Sequence, residues 1–249
     1  MNERQIAQFA RLLIILVSSL TLVSIAAVTS NSSLQLGRTD KAAADGSGTD
    51  GRPLRIMPLG DSITDGLQFP GGYRTRLWQL AQRGGQAIDF VGSQRNGQNA
   101  NLPDPDHEGH PGWTIQQLDQ YAAQWVHTYR PDVILLHIGT NNFWENGELP
   151  SLAPARLARL IDHITSAAPA AHLYVALLVP SGQNDARLQQ LNRAIPPMVA
   201  EHAKRGEKVS VVDQHSALTN ADLVDGIHPN QQGYEKMAEC WWRAMYAEL

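Results

Sequence analysis

Five short, near-continuous apolar runs, each separated from the next by a segment of helical periodicity, constrain this chain more than any other feature. They cover 54–59 (LRIMPL), 87–91 (AIDFV), 132–138 (DVILLHI), 172–179 (HLYVALLV) and 208–213 (KVSVVD). A strand with one wet face alternates apolar and polar residues, whereas a strand of a parallel sheet covered on both faces does not. Between the runs, helices are expected over 73–82, 114–129, 155–167, 185–204 and 231–247. Leu77, Leu80 and Ala81 give the first its stripe, and Thr114 can cap the second. Pro196-Pro197 should kink or break the fourth. The alternation predicts one doubly wound α/β domain, and 249 residues are enough to bury its core.

That domain is expected to start at residue 53. Ahead of it, Arg4 and Arg11 precede an uncharged run over 12–28, followed by small residues. This is the pattern of a signal peptide over 1–30, or of an N-terminal anchor if the segment is not cleaved. Either outcome takes the rest of the chain out of the cytoplasm, with membrane attachment only in the uncleaved form. Residues 31–52 lack an apolar period and are rich in Gly, Ser, Ala and Asp, as a flexible linker is. The G-x-G-x-x-G within it (46–51) precedes the first strand instead of following one, so it carries no dinucleotide reading. Net charge is −4, which leaves no basic field for nucleic acid or an anionic membrane surface. Cys240 is the single cysteine, so no intramolecular disulfide can form. A monomer is expected.

Ligands of open parallel sheets bind beyond the carboxyl ends of the strands. Gly60-Asp61-Ser62 follows the first run, Gly92 the second, Gly139-Thr140-Asn141-Asn142 the third, and Asp225-Gly226-Ile227-His228 lies after the fifth. A serine esterase needs a nucleophile, a base, a carboxylate that orients the base, and donors for the oxyanion. Ser62, His228 and Asp225 are the candidates for the first three. The amides of Ser62 and Gly92 and the side chain of Asn141 are candidate oxyanion donors. Each fragment alone is a common turn; their occurrence together at strand ends is what points to chemistry.

With these residues in place the chain resembles the SGNH (GDSL-type) hydrolases, whose four signature residues would be Ser62, Gly92, Asn141 and His228. It is most similar to the acetyl xylan esterases of carbohydrate esterase family 3. RIMPLGDSITDG (55–66), GGYR (71–74), DFVGS (89–93), DHEGHPGW (106–113), LLHIGTNN (135–142) and DGIHPNQQGY (225–234) carry that likeness. The resemblance implies a three-layer α/β/α, flavodoxin-like fold with a five-stranded parallel sheet in the order 2-1-3-4-5. It also implies a secreted serine esterase that removes O-acetyl groups from xylan or a related polysaccharide through an acyl-enzyme, without a cofactor. Asp61, Trp113 and Trp144 are the expected substrate contacts. The alternatives are a lysophospholipase or thioesterase on the same fold, and a non-catalytic carbohydrate-binding protein. One departure bears on the last: Asn142 stands where the family pattern has an acid, which should weaken the bracing of the loops.

Other features point elsewhere or nowhere. Asp104, Asp106, His107, Glu108 and His110 cluster, but Pro103, Pro105 and Pro111 forbid the helix that an H-E-x-x-H zinc site needs, so no metal is expected. There is no G-x-S-x-G and no Walker A motif. His137 reads as core, and His215 is the one rival to His228 as base. Phe143, with Trp113 and Trp144, could stack on sugar rings or pack. Trp241 and Trp242 read as packing and Cys240 as a small buried hydrophobe.

Overall fold

Strand β1 (Leu54–Gly60) carries the sheet's organisation, because three other strands pair with it. The computed structural model describes residues 51–144, 150–182 and 185–246. The expected signal peptide or anchor, and the linker up to residue 50, lie outside them. On one side of β1 runs β5 (Val133–His137), followed by β6 (His172–Leu177) and β7 (Val209–Asp213), all parallel. On the other side runs β2 (Ile88–Phe90), also parallel, in register with Leu54–Ile56. These five strands are the five apolar runs, in the expected order.

Two further strands enlarge the sheet to seven. β2 accompanies only the first half of β1. Beyond it, β4 (Asp106–Gly109) takes up the edge of β1 at Leu59 and Gly60, and β3 (Gln94–Arg95) pairs with β4 antiparallel. Neither coincides with one of the five apolar runs, so periodicity does not reveal them. Asp-His-Glu-Gly has no apolar character, yet its His107 and Glu108 are buried, held by side-chain hydrogen bonds instead of by hydrophobicity.

The helices cover both faces, and the period of 2 along the strands sorts the core. Ile56, Val133 and Leu135 face α2 (Gly72–Arg83) and α8 (Gln231–Tyr246), where Tyr73, Leu77, Met237 and Trp241 are buried. Met57, Leu59, Ile134 and Leu136 face the opposite layer of α3 (Ile115–Asp119), α4 (Ala122–Tyr129), α6 (Ala153–Ala167) and α7 (Asp185–Lys204). Two short helices, α1 (Ser62–Asp65) and α5 (Thr140–Trp144), follow β1 and β5 directly.

Two helix expectations change. The helix over 114–129 is split into α3 and α4 by a turn at Gln120 and Tyr121, although Thr114 caps α3 in a full capping box with Gln117. α7 runs without a break through Pro196 and Pro197. Both prolines are on the solvent face, where water can take the carbonyls that they leave unpaired, while Leu191, Ile195 and Val199 hold the helix to the core. Asn192 extends β6 by one residue: its side chain accepts from Leu178 N and donates to Leu178 O, as a neighbouring strand would. No helix among the described residues is long and apolar enough to cross a membrane.

Candidate active site

Ser62 is placed by a tight strand-to-helix transition. β1 ends at Gly60, and Asp61 caps the following turn, its Oδ1 accepting from the backbone N–H of Ile63 at 3.0 Å. Gly66 ends the turn in the left-handed region (φ 84°), which a Cβ would oppose. Ser62 is thus the first residue of α1, at the carboxyl edge of the sheet.

His228 reaches it from the segment between β7 and α8. Its Nε2 lies 2.9 Å from Ser62 Oγ, and its Nδ1 lies 2.8 Å from Asp225 Oδ2. The carboxylate fixes the proton on Nδ1 and leaves Nε2 free to accept from the serine hydroxyl. Asp225 has a second task, since its Oδ1 accepts from the backbone N–H groups of Ile227 and His228 at 3.0 and 2.8 Å. One side chain therefore both folds the loop and orients the base. Burial works against the Asp225 charge, but these N–H groups and the imidazole together hold its carboxyl below the usual range. The loop is tied at its base by Val224 N–H donating to His228 O at 2.8 Å, and by Lys236 gripping Asp222 at 2.7 Å.

The expected oxyanion donors flank Ser62. Gly92 follows β2 on one side of β1, and its N–H has no acceptor among the described residues. Asn141 lies in α5, which follows β5 on the other side. Its Nδ2 donates to Trp113 O at 2.9 Å and stands 3.4 Å from Asp61 Oδ2, so one of its two hydrogens is firmly engaged and the other only weakly. Asp61 itself is completely buried. Burial raises its carboxyl to about 7, against the pull of the Ile63 N–H and the His228 charge. This corrects the expectation of a substrate contact: the Asp61 side chain is a helix cap beneath the site, with no surface for a ligand.

Asn142 is fully used despite replacing an acid. It accepts from Ile115 N–H at 2.9 Å and donates to Gln116 Oε1 at 2.7 Å, a donation that a carboxylate could not make. The bracing expected to be weakened is present in a different form, and Gln116 is the residue that sequence reasoning passed over.

The polar cluster of the 93–113 segment is structural in the same sense. Glu108 accepts from Ser93 Oγ at 3.0 Å and faces His110 Nε2 at 2.8 Å. His110 packs against two indoles that also touch each other, its ring centroid 4.2 Å from that of Trp113 and 4.7 Å from that of Trp125. Trp113 is half-buried in this stack, and its carbonyl holds Asn141. His107 Nδ1 accepts from Gly109 N–H at 3.0 Å, and burial, helped by the Arg74 charge, lowers its pKa to about 2. Arg74 is buried too. It donates to Pro105 O at 2.9 Å and to Asn96 Oδ1, tying this segment to α2. Among the described residues no group of three or more His, Cys, Asp or Glu side chains is placed to hold a metal ion.

His137, His215, Phe143, Cys240, Trp241 and Trp242 fall outside the site. His137 is core, with its pKa lowered by burial to about 4. His215 is engaged by Gln189 and stands 3.4 Å from Asp185, while Ser62 bonds His228. Phe143 and Trp241 are core, and Trp242 is partly buried. Cys240 is half-buried instead of fully so, and its thiol donates to Asp213 O at 3.3 Å. The Trp144 side chain lies outside the described residues. Gln68, passed over in the sequence, donates to Asp225 Oδ2 at 2.8 Å, sharing that oxygen with His228. An exposed glutamine in a loop carries no sequence signal for such a contact.

Comparison with known proteins gives a family match over residues 59–236, to the GDSL-like Lipase/Acylhydrolase family. A solved Clostridium thermocellum family 3 carbohydrate esterase is 38% identical, with a TM-score of 0.70, over 77% of this chain and 94% of that one. A multidomain esterase of Ruminococcus flavefaciens is 32% identical over 76% of this chain, which spans 28% of that protein. An acetylxylan esterase of Xylanibacter ruminicola is 24% identical over 75% of this chain, which spans 42% of it.

Proposed function

The chain belongs to the GDSL-like lipase/acylhydrolase family, and on that premise we propose that it is a secreted carboxylic ester hydrolase that removes acetyl groups from xylan or a related polysaccharide, with residues 53–249 as its catalytic domain. The observation that carries the reading is the unbroken line Ser62 Oγ, His228, Asp225, with contacts of 2.9 and 2.8 Å. The likeness to a family 3 carbohydrate esterase and to an acetylxylan esterase supports the choice of substrate.

In this mechanism Ser62 Oγ attacks the ester carbonyl while its proton passes to His228 Nε2. The imidazolium is stabilised by Asp225. The oxyanion is met by the N–H groups of Ser62 and Gly92 and by the Asn141 amide, whose weakly engaged hydrogen can turn to it. Collapse breaks the bond to the sugar oxygen, which leaves with the proton from His228. Water then gives its proton to His228, attacks the acetyl-serine, and releases acetate and the free hydroxyl of Ser62. No step calls for a cofactor. A non-catalytic sugar-binding protein loses its sequence argument, because Asn142 braces the loop through both its oxygen and its nitrogen.

The test is acetate release from acetylated xylan by the wild type and by Ser62→Ala, with 4-nitrophenyl acetate and 4-nitrophenyl octanoate in parallel. Release by the wild type alone, with acetate preferred to octanoate, is the expected result. Octanoate preferred, with xylan untouched, would transfer the assignment to a lipid or thioester substrate.

A further inference from the structure

Beside the triad lies a cavity of about 400 Å³, between the segment after α1, the start of α2 and the start of α8. We propose that it is the subsite for a neutral polysaccharide chain, the neighbouring pyranose units of the sugar whose ester is cleaved. This rests on the polysaccharide reading above and deepens it.

Three observations carry the inference. The first is position. Gln68 lines the cavity and donates to Asp225 Oδ2, so a single side chain separates the cavity from the catalytic carboxylate. A leaving sugar at Ser62 with its chain running on past Gln68 would enter this space. The second is chemistry. Gln68 and Gln231 supply amides whose nitrogens already donate to Asp225 and Glu235, leaving carbonyl oxygens and second N–H groups that suit vicinal hydroxyls, and Phe69 supplies an aromatic ring for the C–H face of a pyranose. The third is charge. Arg76 and Glu235 both line the space, and Arg76 is already paired with Glu239 at 3.1 Å. With one charge of each sign in the wall, an uncharged ligand is favoured over an anionic one. The volume lies in the usual range for small-ligand sites.

The experiment is a calorimetric titration of xylohexaose into the full chain, the wild type beside Gln79→Trp and Ala100→Trp. Both substitutions fill the cavity from residues that have no contact with Ser62, His228 or Asp225. Hydrolysis of 4-nitrophenyl acetate within twofold of the wild type shows that each variant is folded and its triad intact. The expected result is binding by the wild type and a loss of at least tenfold in both variants. Equal binding in all three proteins would overturn the subsite while leaving the polysaccharide reading in place. So would a wild type that deacetylates acetylated xylan yet does not bind xylohexaose. A wild type that does neither would remove both.

Discussion

A methyl group added to Gly92 would stand 2.2 Å from the backbone carbonyl of His107. The residue after β2 is therefore a glycine first for packing, because β4 slides in beside β1 where β2 leaves it. The sequence offers a chemical reason for Gly92, the donation of its N–H to a reacting carbonyl. The geometry adds a steric one, which does not depend on the reaction.

The two reasons separate experimentally. Gly92→Ala forces the backbone of a buried strand to move and should cost about 3 kcal/mol or more of stability. Urea denaturation is expected to show this drop whether or not ester turnover survives. A variant as stable as the wild type would mean that β4 does not approach as described.

The triad predicts a graded series. Ser62→Ala should reduce hydrolysis of 4-nitrophenyl acetate by roughly 10⁶-fold, and Asp225→Asn by about 10⁴-fold in kcat with the wrong imidazole tautomer. Gln68→Leu removes only one of the donors to Asp225 Oδ2, so a loss of about three- to tenfold is expected. Steady-state kinetics on one small ester measures all three, and a Gln68 variant as inert as Ser62→Ala would contradict this ranking.

Asn142→Ala takes the acceptor from the fully buried Ile115 N–H, at a cost of about 1–3 kcal/mol. Thermal unfolding checks it. A double variant with Gln116→Ala should lose less than the sum of the single changes, because the two side chains share a hydrogen bond.

Acid should destabilise the protein, and the signs can be assigned group by group. His107 and His137 keep their folded pKa values at about 2 and about 4, whereas an unfolded histidine takes a proton near 6.5. Their contribution is complete above pH 6.5 and is lost as pH falls. Asp61 acts in the opposite sense, since its folded carboxyl holds its proton up to about 7 and the unfolded one releases it near 3.8. Its contribution is complete below the unfolded value and is lost as pH rises. Between pH 4.5 and 6 two histidines oppose one carboxyl, so stability should fall on acidification. His107→Asn, which keeps an acceptor for Gly109 N–H, should flatten this slope by about 1.4 kcal/mol per pH unit. Asp61→Asn should steepen it by a similar amount. Urea midpoints measured across that range decide both.

What the sequence made legible follows the signals it uses. The five core strands and most helix bounds rest on hydrophobic periodicity, and they appear because burial on both faces leaves no other composition open to those runs. The order of the strands in the sheet follows from the family resemblance and not from the periodicity. Ser62 is legible because it stands just after β1, and Asp225 and His228 because a carboxylate three residues before a histidine in one loop suits an acid that orients an imidazole. β4 is not, since its buried residues are an imidazole and a carboxylate satisfied by partners such as Ser93 and Gly109, which no periodicity encodes. Asp61 departs from expectation for a related reason. Standing next to a nucleophile in the chain does not say which way a side chain points, and this one caps Ile63. Gln68 and Gln116 were invisible because their roles exist only through long-range contacts with Asp225 and Asn142.

Ser62 and its base are separated by 166 positions along the chain. Closing a loop of that length comes late in folding, after the local β–α units have formed. Ester hydrolysis is therefore a reporter of completed assembly. Any partly folded or proteolytically nicked form in which α8 and the loop before it have come away would keep most of the sheet and the nucleophile, and still be silent. Recovery of turnover during refolding should trail recovery of helical circular dichroism, and the interval between them measures the docking of the last segment.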